Sequence, residues 1–196
     1  RSPDFHYATD FIHHVSCPYV YRRPDGMSVD QFCDHLVDEL ERKILEIGPE
    51  NVAAFFAEPI MGAGGVIVPP PGYHKRTWDV CKKYDVLYVS DEVVTAFGRL
   101  GQWFASKDVF GIEPDIIICR SDRPLGEDLR AKISLFSSVP KEAVIEAVDV
   151  DTIYDVPLMF ERQGLDELVL MMLRQRSPTS DLSAWKAMVE RIRNPQ

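Results

Sequence analysis

Three short apolar runs end in residues able to do chemistry: Val52–Ala57 runs into Glu58, Val86–Ser90 into Asp91, and Ile116–Cys119 into the pair Arg120-Ser121. In an open parallel sheet the carboxyl ends of the strands line the ligand crevice, so these are the positions where a site is expected. A carboxylate such as Asp91 at the end of an apolar strand is suited to holding a cationic ring nitrogen, because a buried carboxylate favours the protonated ring. The same spacing also suits a carboxylate that caps a loop.

Other motifs point to structure. Gly62-Ala63-Gly64-Gly65 has the glycine content of a phosphate cradle, but Val66-Ile67-Val68 and three prolines follow where a helix should open, so a plain turn is expected. His13-His14 with Cys17 lacks a second ligand pair for zinc and reads as surface or core packing. Phe97, Trp103 and Phe104 read as core or interface, and Asp149-Val150-Asp151 as a turn before a helix.

The elements that must position these residues follow from periodicity. Phe32, Leu36, Leu40 and Ile44 recur every four residues behind Ser28 and ahead of Gly48-Pro49, which predicts an amphipathic helix. A second helix is expected over residues 73–84, with Trp78, Cys81 and Tyr84 on one stripe. With the three apolar strands, the alternation predicts an α/β fold built on a parallel sheet. Beyond it the pattern predicts a helix over 127–136, a short strand over 144–147, and helical stretches over 153–163 and 165–174 broken at Gly164. A polar linker follows over 176–180, then a last helix capped by Asp181. The apolar helix faces of this tail include Leu168, Met172, Trp185 and Met188.

The chain has 196 residues, 45% apolar and 27% charged, with a net charge of −9. That length supports a sizeable core and excludes global disorder. The charge repels phosphate backbones and anionic lipid, so neither nucleic acid nor membrane is an expected partner. Aliphatic runs such as Ile116–Ile118 are far short of the roughly 20 residues of a spanning helix. A cytoplasmic protein is expected, with Cys17, Cys33, Cys81 and Cys119 reduced, since no C-x-x-C pair or disulfide pattern is present. Residue 1 is Arg and residues 1–23 read as irregular loop, so the expectation is a piece of a longer chain. Residues 1–119 carry eleven basic and eighteen acidic residues, whereas 120–196 carry eleven and thirteen, a composition shift that hints at a boundary near 120.

The string Ala57-Glu58-Pro59-Ile60-Met61-Gly62-Ala63-Gly64-Gly65-Val66, then Pro69-Pro70-Pro71-Gly72-Tyr73, then the run from Ser90-Asp91-Glu92-Val93 to Gly98-Arg99-Leu100-Gly101 closely resembles the large domain of class III pyridoxal-phosphate-dependent aminotransferases. The likeness continues through Trp103-Phe104 and Gly111-Ile112-Glu113-Pro114-Asp115-Ile116-Ile117-Ile118; Ala96 departs from it, where glycine is usual. The resemblance implies pyridoxal phosphate as cofactor, with Asp91 as the pyridine-nitrogen carboxylate, Val93 packed on a ring face and Glu58 shaping the site. It implies a small-molecule amino donor and acceptor. It also requires a Schiff-base lysine shortly after the third strand, and that position is Ser121. The phosphate-binding turn and the second ring-stacking aromatic fall ahead of residue 1 by this resemblance.

From Pro114 onward the sequence resembles a different enzyme. Pro114–Leu125, Arg130–Phe136, Val139-Pro140, Asp149–Tyr154 and Gln163–Asp166 look like the last part of the synthetase domain of CTP synthase, and Asp181–Trp185 through Asn194-Pro195 like its linker. That resemblance implies Lys132 on the pyrimidine nucleotide and Val148, Asp149 and Val150 on ATP, with ATP and UTP as ligands. The family's phosphate-gripping loop, magnesium carboxylates and glutaminase domain find no counterpart. The expectation is a chimera: residues 1–119 a partial aminotransferase sheet with helices, residues 120–196 a smaller α/β and helical tail. Its identity changes on the shared string Pro114–Arg120. The implied product is an inactive enzyme fragment. A nucleotide-binding remnant and a non-catalytic interaction module are the alternatives, and incompletely covered sheet faces predict self-association.

Overall fold

The structure is a computed structural model that describes residues 10–176 and 181–195. Residues 10–28 run irregularly apart from one short 3-10 turn, Val20–Arg22. Helix α1 (Val29–Ile47) then starts on a reciprocal cap: the Gln31 amide donates to Ser28 Oγ at 3.1 Å, and the Ser28 amide donates to Gln31 Oε1 at 2.9 Å. It ends at Gly48, whose φ of +89° strains any residue with a Cβ. The four-residue spacing becomes a buried stripe of Phe32, Leu36, Leu40 and Ile44, joined by Cys33 and Val37.

Strand β1 (Ala54–Ala57) and strand β2 (Leu87–Ser90) pair in parallel, joined through helix α2 (Tyr73–Lys83). The first core cluster forms where α1 meets α2 and the inner sheet face: Phe32, Leu36, Leu40 and Ile44 against Tyr73, Val80, Cys81 and Val86, flanked by Phe55 and Tyr88. Each such large apolar side chain taken from water contributes roughly 1.5–3 kcal/mol. The expected α2 stripe is rotated. Tyr73, His74, Thr77, Val80 and Cys81 are the buried positions, and Trp78 sits at the flank under the ammonium groups of Lys75 (4.6 Å) and Lys82 (5.5 Å).

The single parallel sheet predicted from the strands is corrected: β3 (Ile117–Ser121) pairs with β4 (Val144–Val148) in a second, separate two-stranded parallel sheet. Helix α4 (Glu127–Ser137) is the crossover between them. The strands are also less buried than continuous apolar runs suggest. On β1–β2 the helices cover one face, so Phe55 turns inward while Phe56 remains 71% exposed; on β3 Cys119 is buried while Ile118 is half-exposed, whereas on β4 the consecutive Val144 and Ile145 are both buried.

A short helix α3 (Ala105–Asp108) brings Phe104 onto this second sheet. There Phe104 packs with Cys119, Ile133 and Val144, flanked by Ala96, Ile117 and Leu125. The cluster draws side chains from both sides of Pro114–Arg120 into one core. The Trp103 ring also stacks on Phe136 at 5.1 Å, and Lys107 Nζ donates to Phe136 O and Ser138 Oγ.

Helix α5 (Val156–Glu161) lies against β4, its start shortened by a 3-10 turn at Ile153–Asp155 ahead of Pro157. Gly164, at φ +72°, breaks the chain before α6 (Leu165–Met172), which buries no side chain fully. The final helix α7 (Ser183–Arg193) buries Val189. Asp181 is not its N-cap residue; Leu182 holds that position, and Asp181 Oδ1 accepts from the Ser183 amide at 3.0 Å. Trp185 donates Nε1–H to Tyr154 O, and Arg193 pairs with the buried carboxylate of Asp155 at 2.6 Å. Residues 177–180 of the expected linker lie outside the described residues. Among the described residues no helix is long and apolar enough to cross a membrane.

Because Phe104 joins segments on both sides of Pro114–Arg120, Phe104→Ala is expected to cost about 3–5 kcal/mol. Denaturant unfolding followed by far-ultraviolet dichroism, with Trp103 fluorescence as a second probe, checks it. A loss confined below about 1 kcal/mol would mean the two segments do not share this core.

Candidate functional site

The register Ala57↔Ser90 makes Glu58 and Asp91 the next residues on two neighbouring strands, and the Asp91 amide extends the ladder to Ala57 O at 2.9 Å. These two sequence-predicted carboxylates therefore stand at one end of one sheet. Glu58 is half-buried and its Oε2 accepts from the Gly62 amide at 2.9 Å. The glycine segment is a turn: Met61 and Ile67 bridge antiparallel, and the Gly65 and Val66 amides both point to Gly62 O.

Asp91 is exposed, and its Oδ1 accepts from the Val93 amide at 3.1 Å. Of the two chemistries its spacing allowed, this geometry is the loop cap. The expected burial is corrected: β2 ends at the open rim of a two-stranded sheet, so water reaches the carboxylate. Val93, next in the motif, is 78% exposed.

The neighbouring Glu92 has the role that local spacing did not reveal. Its carboxylate reaches thirteen residues along the chain to accept from the amides of Ala105 (2.7 Å) and Ser106 (2.8 Å), while its carbonyl accepts from Thr95 and Ala96. A helix of four residues cannot satisfy its own first amides, so this remote carboxylate caps α3. Ser106 then hydrogen-bonds Ser90 through the two hydroxyls at 2.7 Å, fixing α3 to β2. The buried Thr95 hydroxyl has no hydrogen-bond partner.

The third predicted strand end is not on this sheet. Ser121 closes β3 beside Val148, with its hydroxyl donating to Arg123 O at 2.8 Å and its carbonyl accepting from the Asp149 amide at 3.2 Å. Arg120 forms an ion pair with Asp149. Val148, Asp149 and Val150 thus stand together at the carboxyl end of the second sheet, with the Asp149 carboxylate already engaged. Lys132 is separate from them, exposed on α4 in a shallow groove with Asp128, Ala131 and Leu135. Cys119, behind Ser121, is buried, and burial pushes its thiol up to about 11, so it stays protonated.

Of the aromatic segment, Phe104 is core as expected, whereas Phe97 and Trp103 are exposed. Phe97 meets Trp103 at 6.4 Å and Phe104 at 5.6 Å, edge-on in both cases.

The family model described as aminotransferase class-III matches residues 3–126, and that of the CTP synthase N-terminus matches residues 102–175. The putrescine–pyruvate aminotransferase of Pseudomonas aeruginosa is 50% identical over 106 residues, covering 54% of this chain and 23% of that protein. A probable gamma-aminobutyrate transaminase 4 of Oryza sativa subsp. japonica is 47% identical over 115 residues, 58% of this chain and 24% of that protein. Among solved structures, a transaminase from directed evolution by ancestral reconstruction superposes with a TM-score of 0.55 at 47% identity, covering 58% of this chain and 24% of that one. An omega transaminase from Pseudomonas jessenii in complex with PMP superposes with a TM-score of 0.50 at 50% identity, covering 56% and 25%. The chain spans about a quarter of the length of these relatives. The family match over residues 3–126 spans more than half of the chain, and the α/β fold agrees with it: the chain belongs to the class-III aminotransferases.

The two adjacent carboxylates are expected to differ under substitution. Glu92→Ala strips two amides of a charged acceptor and should cost about 1–3 kcal/mol, whereas Asp91→Ala, at an exposed loop cap, should stay within about 0.5 kcal/mol. Urea unfolding of both variants checks the contrast; equal losses would assign Glu92 no capping role.

Proposed function

We propose that this chain carries part of the cofactor-facing sheet of a class-III aminotransferase and does not transaminate. The observation that carries the reading is Ser121. It stands where the family resemblance requires the Schiff-base lysine, and its hydroxyl is directed to Arg123 O. A hydroxyl cannot take the place of an amine in that linkage.

Pyridoxal phosphate, when bound, supplies an electron sink for carbanion chemistry. The present residues do not fit a covalently held cofactor. A carboxylate keeps a ring nitrogen protonated best when shielded from water, yet Asp91 is exposed and its Oδ1 is occupied by the Val93 amide. Val93 and Glu58, the other two residues given to the cofactor by resemblance, are an exposed side chain and a carboxylate engaged at Gly62. What these residues do is internal: Glu58 anchors the glycine turn and Asp91 anchors the loop that leads to Glu92.

In this reading the chain is a fusion, with residues 1–119 from the aminotransferase and 120–196 from a CTP synthase segment. The overlap of the two family matches over residues 102–126 brackets the shared string Pro114–Arg120 and supports it. The second segment is a poor nucleotide site, since the Asp149 carboxylate is paired with Arg120 and Lys132 sits apart on an exposed helix face.

Two outcomes are expected. Incubation with pyridoxal phosphate, borohydride reduction and peptide mass mapping should give scattered, low-occupancy lysine labelling and no amino-acid-dependent bleaching of the chromophore. One lysine labelled at high occupancy together with bleaching would refute the proposal. Calorimetric titration with ATP and with UTP should show no micromolar binding, because triphosphate affinity rests on glycine-rich loops and magnesium carboxylates. Micromolar ATP binding lost in Lys132→Ala or Asp149→Ala would make the nucleotide reading the better one.

A further inference from the structure

The turn ahead of α1 has the sequence Pro24-Asp25-Gly26-Met27. Pro24, Asp25 and Gly26 are exposed, and a hydrogen bond from the Met27 amide to Pro24 O at 3.2 Å closes the turn. Gly26 has φ +78°, the sign that the third position of a type II turn requires. A Cβ built there would meet nothing within 4 Å, so the space around Gly26 is open. The flanks are fixed: Arg23 donates from Nε to Met27 O and from Nη1 to Val20 O, both at 2.9 Å. Behind Met27 comes Ser28, whose cap starts α1.

An aspartyl side chain is a latent electrophile toward the main-chain nitrogen that follows it, because attack on Cγ closes a five-membered imide. Three conditions favour the attack: a following residue without a side chain, a nitrogen held in no hydrogen bond, and an exposed carboxyl group. Asp25 meets all three. Gly26 leaves the nitrogen uncrowded, its amide donates to no group among the described residues, and the carboxyl is exposed. No other aspartate in the sequence is followed by glycine. In α1 the amides after Asp30, Asp34 and Asp38 are held by the Ser28 side chain or by the helix, and Asp85, Asp149 and Asp151 precede β-branched residues.

We propose that Asp25-Gly26 is a self-modification site at which the chain forms isoaspartate, and that this change unlatches the start of α1. The Gly26 nitrogen bonds to Cγ of the protonated Asp25 side chain; the Cγ–OH bond breaks, and the hydroxyl leaves as water with the amide proton. Water then opens the imide at either carbonyl. Opening at Cγ restores aspartate. Opening at the main-chain carbonyl routes the backbone through Cβ and Cγ and leaves the α-carboxylate free. Only water takes part, and the mass of the chain is unchanged. The rerouted backbone is one methylene longer immediately ahead of Met27, which packs against the first core cluster. Arg23 then loses its fit to Met27 O, and the reciprocal cap between Ser28 and Gln31 is pulled out of register. The inference concerns the turn and the helix start alone, so it stands whether or not the chain transaminates.

The test is incubation of the full chain at neutral pH and physiological temperature. Peptide mapping reads isoaspartate as a second chromatographic peak of equal mass, and an isoaspartyl-directed carboxyl methyltransferase with a labelled sulfonium methyl donor counts it independently. Expected is accumulation in the peptide containing Asp25 ahead of every other aspartyl peptide, and none in Asp25→Glu, whose longer side chain would have to close a six-membered ring. Asp25→Asn follows the same route with ammonia as the leaving group. It should convert faster than Asn51 by about tenfold or more, because Val52 is branched and its amide is bound to Pro49 O. The separated isoaspartyl form should unfold at lower urea than the unmodified chain, with the Ser28 and Gln31 amide resonances displaced. No isoaspartate at Asp25, Asp25→Asn converting no faster than Asn51, or an isoaspartyl form with those two resonances unmoved would each overturn the proposal.

Discussion

A pair of parallel strands cannot stand alone, because its crossover must be long and its faces need cover, and this constraint organises the whole chain. Helices α1 and α2 cover one face of β1–β2, and α4 and α5 cover β3–β4. What joins the two units is the burial of Phe104 against Cys119, Ile133 and Val144. Strand β3 is itself the middle of that cluster: Ile117 and Cys119 turn inward while Ile118 and Arg120 face water. Such a strand serves this purpose because the pleat needs only small or branched apolar residues at alternate positions on its inner face.

Polar side chains acting at long range complete what short elements leave unsatisfied. Glu92 caps α3 across thirteen residues, and Gln163 performs the equivalent task on the sheet. Its amide accepts from Glu146 N and donates to Glu146 O, both at 2.8 Å, so one side chain imitates a neighbouring strand on the outer edge of β4. Closing an edge this way removes a template for pairing with other chains. The ion pair between the buried Asp155 and the half-exposed Arg193 binds the last helix in the same manner, by a contact between residues distant in sequence.

The parts of this architecture legible in the sequence are those with local causes. The Ser28 cap, the four-residue stripe of α1, the Gly48 stop, the glycine turn after Glu58 and the strands to within one or two residues all follow from neighbours a turn or a pleat away. The division into two sheets was not legible, since an apolar run announces a strand without naming its partner. Nor was the rotation of the α2 stripe, where Trp78 yields the core to His74 and Thr77 because those two find hydrogen-bond partners inside it. Of the site, the sequence indicated that Glu58 and Asp91 stand at strand ends, and the parallel register sets them side by side. It did not indicate that the third strand end belongs elsewhere.

The distance between a motif and a site is physical. Two unit charges 4 Å apart interact by about 1 kcal/mol in water and about 4 kcal/mol at the effective dielectric near a protein surface. A carboxylate such as Asp91 can hold a protonated ring firmly only when further layers exclude water around it, and those layers are a property of the fold, not of the residue. Here Asp91 keeps its place at the end of β2 and its amide in the ladder, but its carboxylate faces solvent and turns to the nearest main-chain donor, Val93. In this structure Glu58, Asp91 and Glu92 hold the glycine turn, the loop after β2 and the start of α3. Buried polar groups at this end of the sheet include His74, between Pro59 O and the Tyr88 hydroxyl, and Ser106, bonded to Ser90.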